Sequence, residues 1–518
     1  MWWKVLNHTH TYSGKADHGG VEQPPASYQK LSQWAQRCGI DAIGMGSPYT
    51  PRTAANYMRF DGAERDQYYS PDFDKNALLA GDDISIMLRD ANAVSQQRPL
   101  FYLDNETPKA RYGHLWWVGY RRDLPEWHDY DQPFDRWMVH ESIAGDGCDE
   151  PMPYERRPYL QILGTQRSHR AMGFWAHPTS WWTGERNQFI TNIATEMPAH
   201  AIADGRLDGM VVVGYHPYRP QYLDLWYELL DRGYRVPGVA EMDCGLSDAK
   251  LWQDSAPLLN YIYHADDQPI TETAMREAFR SGRIVAGNGP LIDMTVDRHA
   301  TGEVAATGNG VLHEVRIDIK PAPGMEKSAR VELLTTGGKV IWHRDDVGAE
   351  SIKLSIPGTA HRSYLIARVF GDRAGGHFRD IGCFATGNPV YLHPPGTDFQ
   401  QPATTDVCLD ISERSVCIGA EIRFETMAGE LLLATTGRAG RLRETLPASG
   451  RVSVVGLDGT CQTRYLLNSN KWLTDVQRYL YRGRFLKDFP SLTPGEVPVQ
   501  AWRLDDFVEA MREVRLEL

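Results

Sequence analysis

The periodicity of the chain changes near Arg283, and that change limits the fold more than any single motif does. Before it, short apolar runs alternate with segments of helical period. "WKVLNH" has the character of a strand, and Leu31, Trp34, Ala35 and Cys38 mark one face of a helix that Ser27 can cap and Gly39 can stop. "IDAIGM" is the next strand. Further on, "LDGMVVVGY", the stripe Leu223, Trp226 and Leu230, the stop at Gly233 and the run "RVPGVAEMD" repeat the pattern. Alternation of this kind builds a parallel sheet or barrel from β/α units. After the helix "ETAMREAFRSG" come strands such as "HEVRIDIKP", "ARVELLTTGGKVI", "SIKLSIPG" and "SYLIARVFG", divided by Gly and Pro turns, which is the pattern of a β-sandwich. "PPGTDFQQPATT" looks like a linker into a third segment with strands "EIRFET", "GELLLATTG" and "RVSVVGL" before apolar-striped helices. The expected organisation is therefore a β/α region over 1–290, a β-sandwich over 291–395 and a small α+β segment over 400–518.

With 518 residues, 42% of them hydrophobic, the chain has material for several cores. A net charge of -12 argues against a broad footprint for nucleic acid or an anionic membrane. The seven cysteines are scattered and contain no C-x-x-C pair, which disfavours a disulfide framework and suits a reducing compartment. No apolar leader precedes "NHTH" and no run approaches 18 apolar residues, so a cytoplasmic protein is expected.

His8 and His10 in "NHTHTYSG" are, alone, a weak signal, because alternate residues at a strand end point the same way in many surface loops. Other groups join them. "LDNETPKARYGHLWW" supplies Glu106 and His114, "GFWAHPTSWW" supplies His177, and "VPGVAEMDCGL" supplies Asp243. Each ends an expected strand at the same point of its unit, a placement that would aim them at one mouth. Imidazoles and carboxylates together suit Zn, Mn or Fe. A pair of such ions would activate a bridging water and polarise a carbonyl or phosphoryl oxygen.

The order of these motifs resembles the PHP (polymerase and histidinol phosphatase) superfamily, and within it the carbaryl-hydrolase-like CehA/McbA metallohydrolases. "NHTHTYS", "GIDAI", "NET" with its following "GH", "AHP" and the Asp of "EMD" carry the resemblance, and "AMREAFRSGRIVAGNGPLIDMTVD" is similar to that family's passage into a sandwich. The resemblance covers roughly residues 4–393. It implies a distorted (β/α)7 barrel in which His8, His10, Glu106 and Asp243 hold one metal, while Glu106, as a bridge, holds a second with His114 and His177. Glu106, His114 and Asp243 are then the expected catalytic groups. Where the family has Thr-Asp-His this chain has Gly46-Ser47-Pro48, and where it has Ser-Asp-x-His this chain has Met242-Asp243-Cys244-Gly245. Both departures remove ligands of a third metal, leaving a dinuclear centre as the expectation. Asp17, His18 and Asp248 are alternative ligands.

His18 and His216 are candidate proton donors to a leaving group, and Lys15, Arg52, Arg111 and Arg219 are candidate phosphate-binding groups, as charged hydrogen-bond donors. Trp116, Trp117, Trp181 and Trp182 follow the metal motifs, and core packing is the default for all four. No P-loop or Rossmann glycine pattern and no Gly-x-Ser-x-Gly elbow is present. The expected function is a metal-dependent hydrolase that turns metal-activated hydroxide on an ester, carbamate or amide bond of a small, possibly aromatic molecule. Three alternatives stand beside it: a phosphoesterase with the same site, a non-hydrolytic metalloenzyme, and a catalytically inactive binding protein. Oligomers are compatible with all of these.

Overall fold

In the computed structural model the described residues are 1–10, 28–45, 88–106, 114–118, 172–176, 181–183, 188–190, 208–214, 218–245, 257–265, 269–321, 326–371 and 383–400, apart from a few single or paired positions such as 90, 219 and 243, together with the strands between 404 and 517. The first region contributes strands β1 (Trp2–Leu6), β2 (Thr9–His10), β3 (Ala42–Met45), β4 (Leu100–Glu106), β5 (His114–Val118) and β6 (Met172–Ala176). A hairpin of β7 (Trp181–Thr183) and β8 (Gln188–Ile190) follows. Then come β9 (Gly209–Val213), β10 (Gly238–Ala240), β11 (Cys244–Gly245), β12 (Leu259–Tyr263) and β13 (Ile284–Gly287). Helices α1 (Tyr28–Cys38), α2 (Pro220–Asp231) and α3 (Glu272–Ser281) lie between them.

The second region contributes β14 (Leu291–Val296), β15 (His299–Ala300), β16 (Val304–Ala306), β17 (Leu312–Lys320), β18 (Ser328–Thr335) and β19 (Lys339–Val347). It continues with β20 (Glu350–Pro357), β21 (Ser363–Gly371), β22 (Phe384–Gly387) and β23 (Val390–His393). The third holds β24 (Thr404–Ile411), β25 (Ala420–Thr426), β26 (Gly429–Thr436), β27 (Gly440–Pro447), β28 (Gly450–Val455), β29 (Cys461–Leu466) and β30 (Glu513–Glu517). These last form two sheets, ordered β27-β24-β30 and β26-β25-β28-β29. The helices expected near the C-terminus fall outside the described residues.

The expected (β/α)7 barrel is not what the described residues build. They form a mixed sheet of 15 strands, running β10-β9-β6-β5-β4-β3-β1-β12-β13-β22-β21-β18-β19, with β16 and β23 attached beside β21. The pairs β1–β3, β3–β4, β6–β9 and β9–β10 are parallel, but β5 runs antiparallel to both β4 and β6. The reason lies in chain length. Only residues 107–113 separate β4 from β5, fewer than the dozen or so that a parallel crossover needs. On the other side of β1 the sheet turns antiparallel through β12 and β13 and passes into the sandwich strands by the β13–β22 ladder.

Alternate residues of the first strands enter two separate cores, as a pleated strand covered on both faces requires. One contains Trp3, Val5, Tyr102, Trp116, Phe174, Val211, Val239 and Ile262, and α3 fills it with Met275, Ala278 and Phe279. Trp116 stacks on Phe174 at 4.1 Å, and Phe279 meets Phe174 edge-on at 5.4 Å, so Trp116 is core, as its sequence context implied. Thr271 caps α3 by accepting from the Ala274 amide, and Gly282 ends it with φ 74°. The other core holds Leu6, Ile43, Phe101, Trp175 and Met210 beneath the apolar faces of α1 (Leu31, Trp34, Ala35) and α2 (Leu223, Trp226, Leu230). Full burial of such a side chain contributes about 1.5–3 kcal/mol.

That second core runs on into the sandwich. There Ile292, Met294 and Val296 of β14 and Val315, Ile317 and Ile319 of β17 alternate with more exposed residues and share one cluster with buried residues of β21 and β22. Asp231 at the end of α2 accepts from the Gly337 amide and from Tyr364 Oη at 3.0 Å, tying the helix to the second region. Among the described residues no helix is long and apolar enough to cross a membrane.

Candidate functional site

At the C-terminal ends of β1, β3, β4 and β10 lies a group of buried polar residues that includes the nominated His8. Asn7, His8, Thr9, Asp104, Glu241 and Asn260 are all at most 1% exposed there. Buried polar groups at this density persist only when hydrogen-bonded, and the bonds can be traced. His8 Nδ1 donates to Glu241 Oε2 at 2.7 Å. The His8 amide donates to Asp104 Oδ2 at 2.7 Å, and Asn7 Nδ2 reaches the same oxygen at 3.3 Å and also donates to Tyr102 Oη. Tyr102 Oη in turn donates to the Leu6 carbonyl at 3.2 Å. Burial, and then the negative charge of Asp104, push the Tyr102 pKa well above its usual value, so it stays a neutral donor.

The backbone bends sharply to make this arrangement. His8 has φ 54°, a left-handed conformation that is uncommon outside glycine and asparagine, and its amide is held there by Asp104. Thr9 Oγ1 donates to the Gly44 carbonyl. Gly44 must lack a side chain, because a Cβ there would overlap the Asp104 carboxylate. Across the same end, the Met242 amide donates to the Asn7 carbonyl at 3.1 Å, and the short parallel pair β2–β11 aligns Thr9 with Cys244 and His10 with Gly245. A bulge between Val239 and Ala240 shifts the β10 register against β9, just ahead of Glu241.

The six nominated residues fare differently. His8 lies within this network. His10 ends β2, Glu106 ends β4 with Trp116 opposite, and His114 opens β5 with Ala176 opposite. Because β5 is antiparallel, its beginning lies at the same sheet end as the finish of β4 and β6. The side chains of His10, Glu106 and His114 fall outside the described residues, as do His177 and Asp243 altogether. So do Asp17, His18, His216, Asp248, Lys15, Arg52, Arg111, Arg219 and the segment Gly46-Ser47-Pro48.

Among the described residues no group of three or more His, Cys, Asp or Glu is placed to hold a metal ion, and of the six expected ligands only His8 has its side chain among those residues. What they contain is a two-residue contact, His8 with Glu241. Its chemistry nevertheless fits a divalent ion, since a ligating imidazole commonly presents one nitrogen to the metal while the other donates to a carboxylate.

Sequence reading passed over Glu241, Asp104, Asn7 and Asn260. A signal was available for the two acids. Each interrupts an otherwise apolar strand run, "VPGVAEMD" and "LFYLDNE", where a carboxylate is costly unless paired. Asn260 in "LLNYIY" carries the same signal in a milder form.

No family model matches the chain, and no curated protein does. Among solved structures it is similar to BcpA, the major pilin subunit of Bacillus cereus, seen in two forms, with 14% identity over 35% of this chain and 65% of that one, at a TM-score of 0.15. It is also similar to the Bacillus anthracis TIE protein, with 9% identity over 44% of this chain and 40% of that one, at a TM-score of 0.15. The chain thus spans 65% of the length of the pilin. Likeness at this level constrains neither fold nor activity.

Proposed function

We propose that the protein is a divalent-metal-dependent hydrolase acting on an ester, carbamate or amide bond of a small molecule. The observation that carries this is the His8–Glu241 pair, a carboxylate-oriented imidazole buried at converging strand ends and held on strained backbone. In this reading His8, His10, Glu106 and Asp243 hold one ion, and Glu106 with His114 and His177 a second. Such ions supply an activated water and a Lewis acid for the carbonyl oxygen. The chain's own part is orientation: Glu241 fixes the tautomer and direction of the His8 ring, and Asp104 fixes the His8 backbone. Seven scattered cysteines with no C-x-x-C pair support a reducing, cytoplasmic setting.

The test is metal analysis of the purified full chain coupled to a screen of aryl esters, carbamates and phosphoesters, with His10→Ala as the comparison. Uptake of about two equivalents of Zn, Mn or Fe, lost in the variant together with carbonyl-substrate hydrolysis, is the expected result. Turnover of phosphoesters alone would move the assignment to a phosphoesterase, and a wild-type chain that takes up no ion would overturn it.

A further inference from the structure

On the side away from β9, β10 has no backbone ladder with another strand among the described residues. Two asparagine side chains stand there instead. Asn260 of β12 accepts from the Ala240 amide at 2.7 Å and donates to the Ala240 carbonyl at 2.7 Å. Asn388, between β22 and β23, does the same at Gly238, accepting from its amide at 2.7 Å and donating to its carbonyl at 2.8 Å. Each amide imitates what a paired strand residue would offer, and the two bonded positions straddle Val239, where the bulge against β9 begins.

Asn388 is itself fixed. It is 1% exposed, its backbone amide donates to the Ile284 carbonyl at 3.1 Å, and its Nδ2 reaches the same carbonyl at 3.1 Å. Gly238 is packed so closely under Trp226 that a Cβ would come within 2.8 Å of the indole, so β10 has little room to slide. Three residues after Gly238 comes Glu241, whose amide bonds the Val213 carbonyl at 2.9 Å and whose carboxylate holds the His8 ring.

We propose that Asn388, delivered from the second region of the chain, is a positioning residue for the His8–Glu241 pair, holding β10 in the shifted register against β9 from which Glu241 reaches the imidazole. It touches neither side chain of the pair. Its functional meaning rests on the reading of His8 as an ion ligand, while its structural effect can be measured without that reading.

The experiment uses the full chain labelled with 15N-histidine, in wild type, His8→Ala (to assign the His8 ring), Asn388→Leu and Asn388→Ser, with long-range 1H–15N spectra of the rings and titration of chelator-stripped protein with Zn²⁺. In wild type the His8 ring is expected to show a single Nδ1–H tautomer. In both Asn388 variants that signature is expected to shift or broaden while the His313 ring, remote in the sandwich, keeps its own, and Zn²⁺ affinity is expected to fall about tenfold. A loss of global folding alone would disturb both rings. If Asn388→Leu does not fold, Asn388→Ser, which keeps a polar group but is one bond too short to replace the pair of Gly238 bonds, decides. Unchanged His8 ring signals in a folded variant would overturn the proposal. A wild-type chain that binds no Zn²⁺ but whose His8 ring still responds would overturn the hydrolase reading and leave the positioning role standing.

Discussion

Two buried histidines make nearly the same bond in different regions of this molecule. His8 Nδ1 meets Glu241 at 2.7 Å, and His313 Nδ1 meets Asp297 at 2.6 Å. Around His313 everything is local. It sits in the regular strand β17, its Nε2 pairs with Thr307 Oγ1 at 2.9 Å, and Asp297 is a turn residue, 36% exposed, that also accepts from the Glu314 amide. Around His8 everything is distant. The acid comes from 233 positions away and is fully buried, and the histidine itself occupies a left-handed conformation held by a second carboxylate. The first arrangement is a staple that a hairpin can make by itself. The second needs several strand ends brought together, a cost that the local hairpin arrangement does not carry.

Removing each ring should separate the two most widely. His8→Ala takes the imidazole from a carboxylate with no access to water, and about 3–5 kcal/mol of stability should be lost. For His313→Ala, where Asp297 can turn to solvent, about 2 kcal/mol is expected. Urea unfolding midpoints measure both, and equal losses would erase the distinction. Next in size is Gly44→Ala, whose added methyl overlaps Asp104 and should cost about 1–3 kcal/mol. The same measurement checks it, and a neutral outcome would mean that Asp104 can withdraw from the His8 amide without consequence.

The smallest effect concerns acid. Burial raises the Asp297 pKa, but the hydrogen bonds from His313 and the Glu314 amide outweigh it, so the carboxyl titrates below its ordinary 3.8. A depressed acid stabilises fully above its unfolded pKa and loses that contribution as pH falls through the folded value. Stability followed below about pH 4 should therefore decline less steeply in Asp297→Asn than in wild type. A steeper decline would show the sign to be wrong.

What could be read from sequence follows the range of the interactions. The apolar stripe Leu31, Trp34, Ala35 and the stop at Gly39 are local, and they form the buried face of α1 and a turn at φ 65°. The alternation in "HEVRIDIK" is local, and it becomes β17 with Val315, Ile317 and Ile319 inside. The direction of β5 depended on the seven residues before it, a spacing that was visible but outweighed by the strand-and-helix rhythm. Glu241 was passed over for Asp243, two residues on, because apolar patterning says which strand is buried and not which of its acids has a partner waiting. Asn388 left no signal of its role, and Asn260 only the mild one of a polar residue in an apolar run. An asparagine that stands in for a strand edge is defined only once the strand it serves has been placed.

The β13–β22 ladder has a practical meaning for anyone who cuts the chain. Val285, Ala286 and Gly287 pair with Gly387, Thr386 and Ala385, so the hydrogen bonding passes across residue 290 without a gap. A fragment ending there would carry four consecutive buried residues on a naked strand, with a row of backbone donors and acceptors open to any passing chain. It would also leave behind Asn388, the amide on the outer rim of β10. The smallest exchangeable piece that keeps the strand ends in order reaches at least to β23.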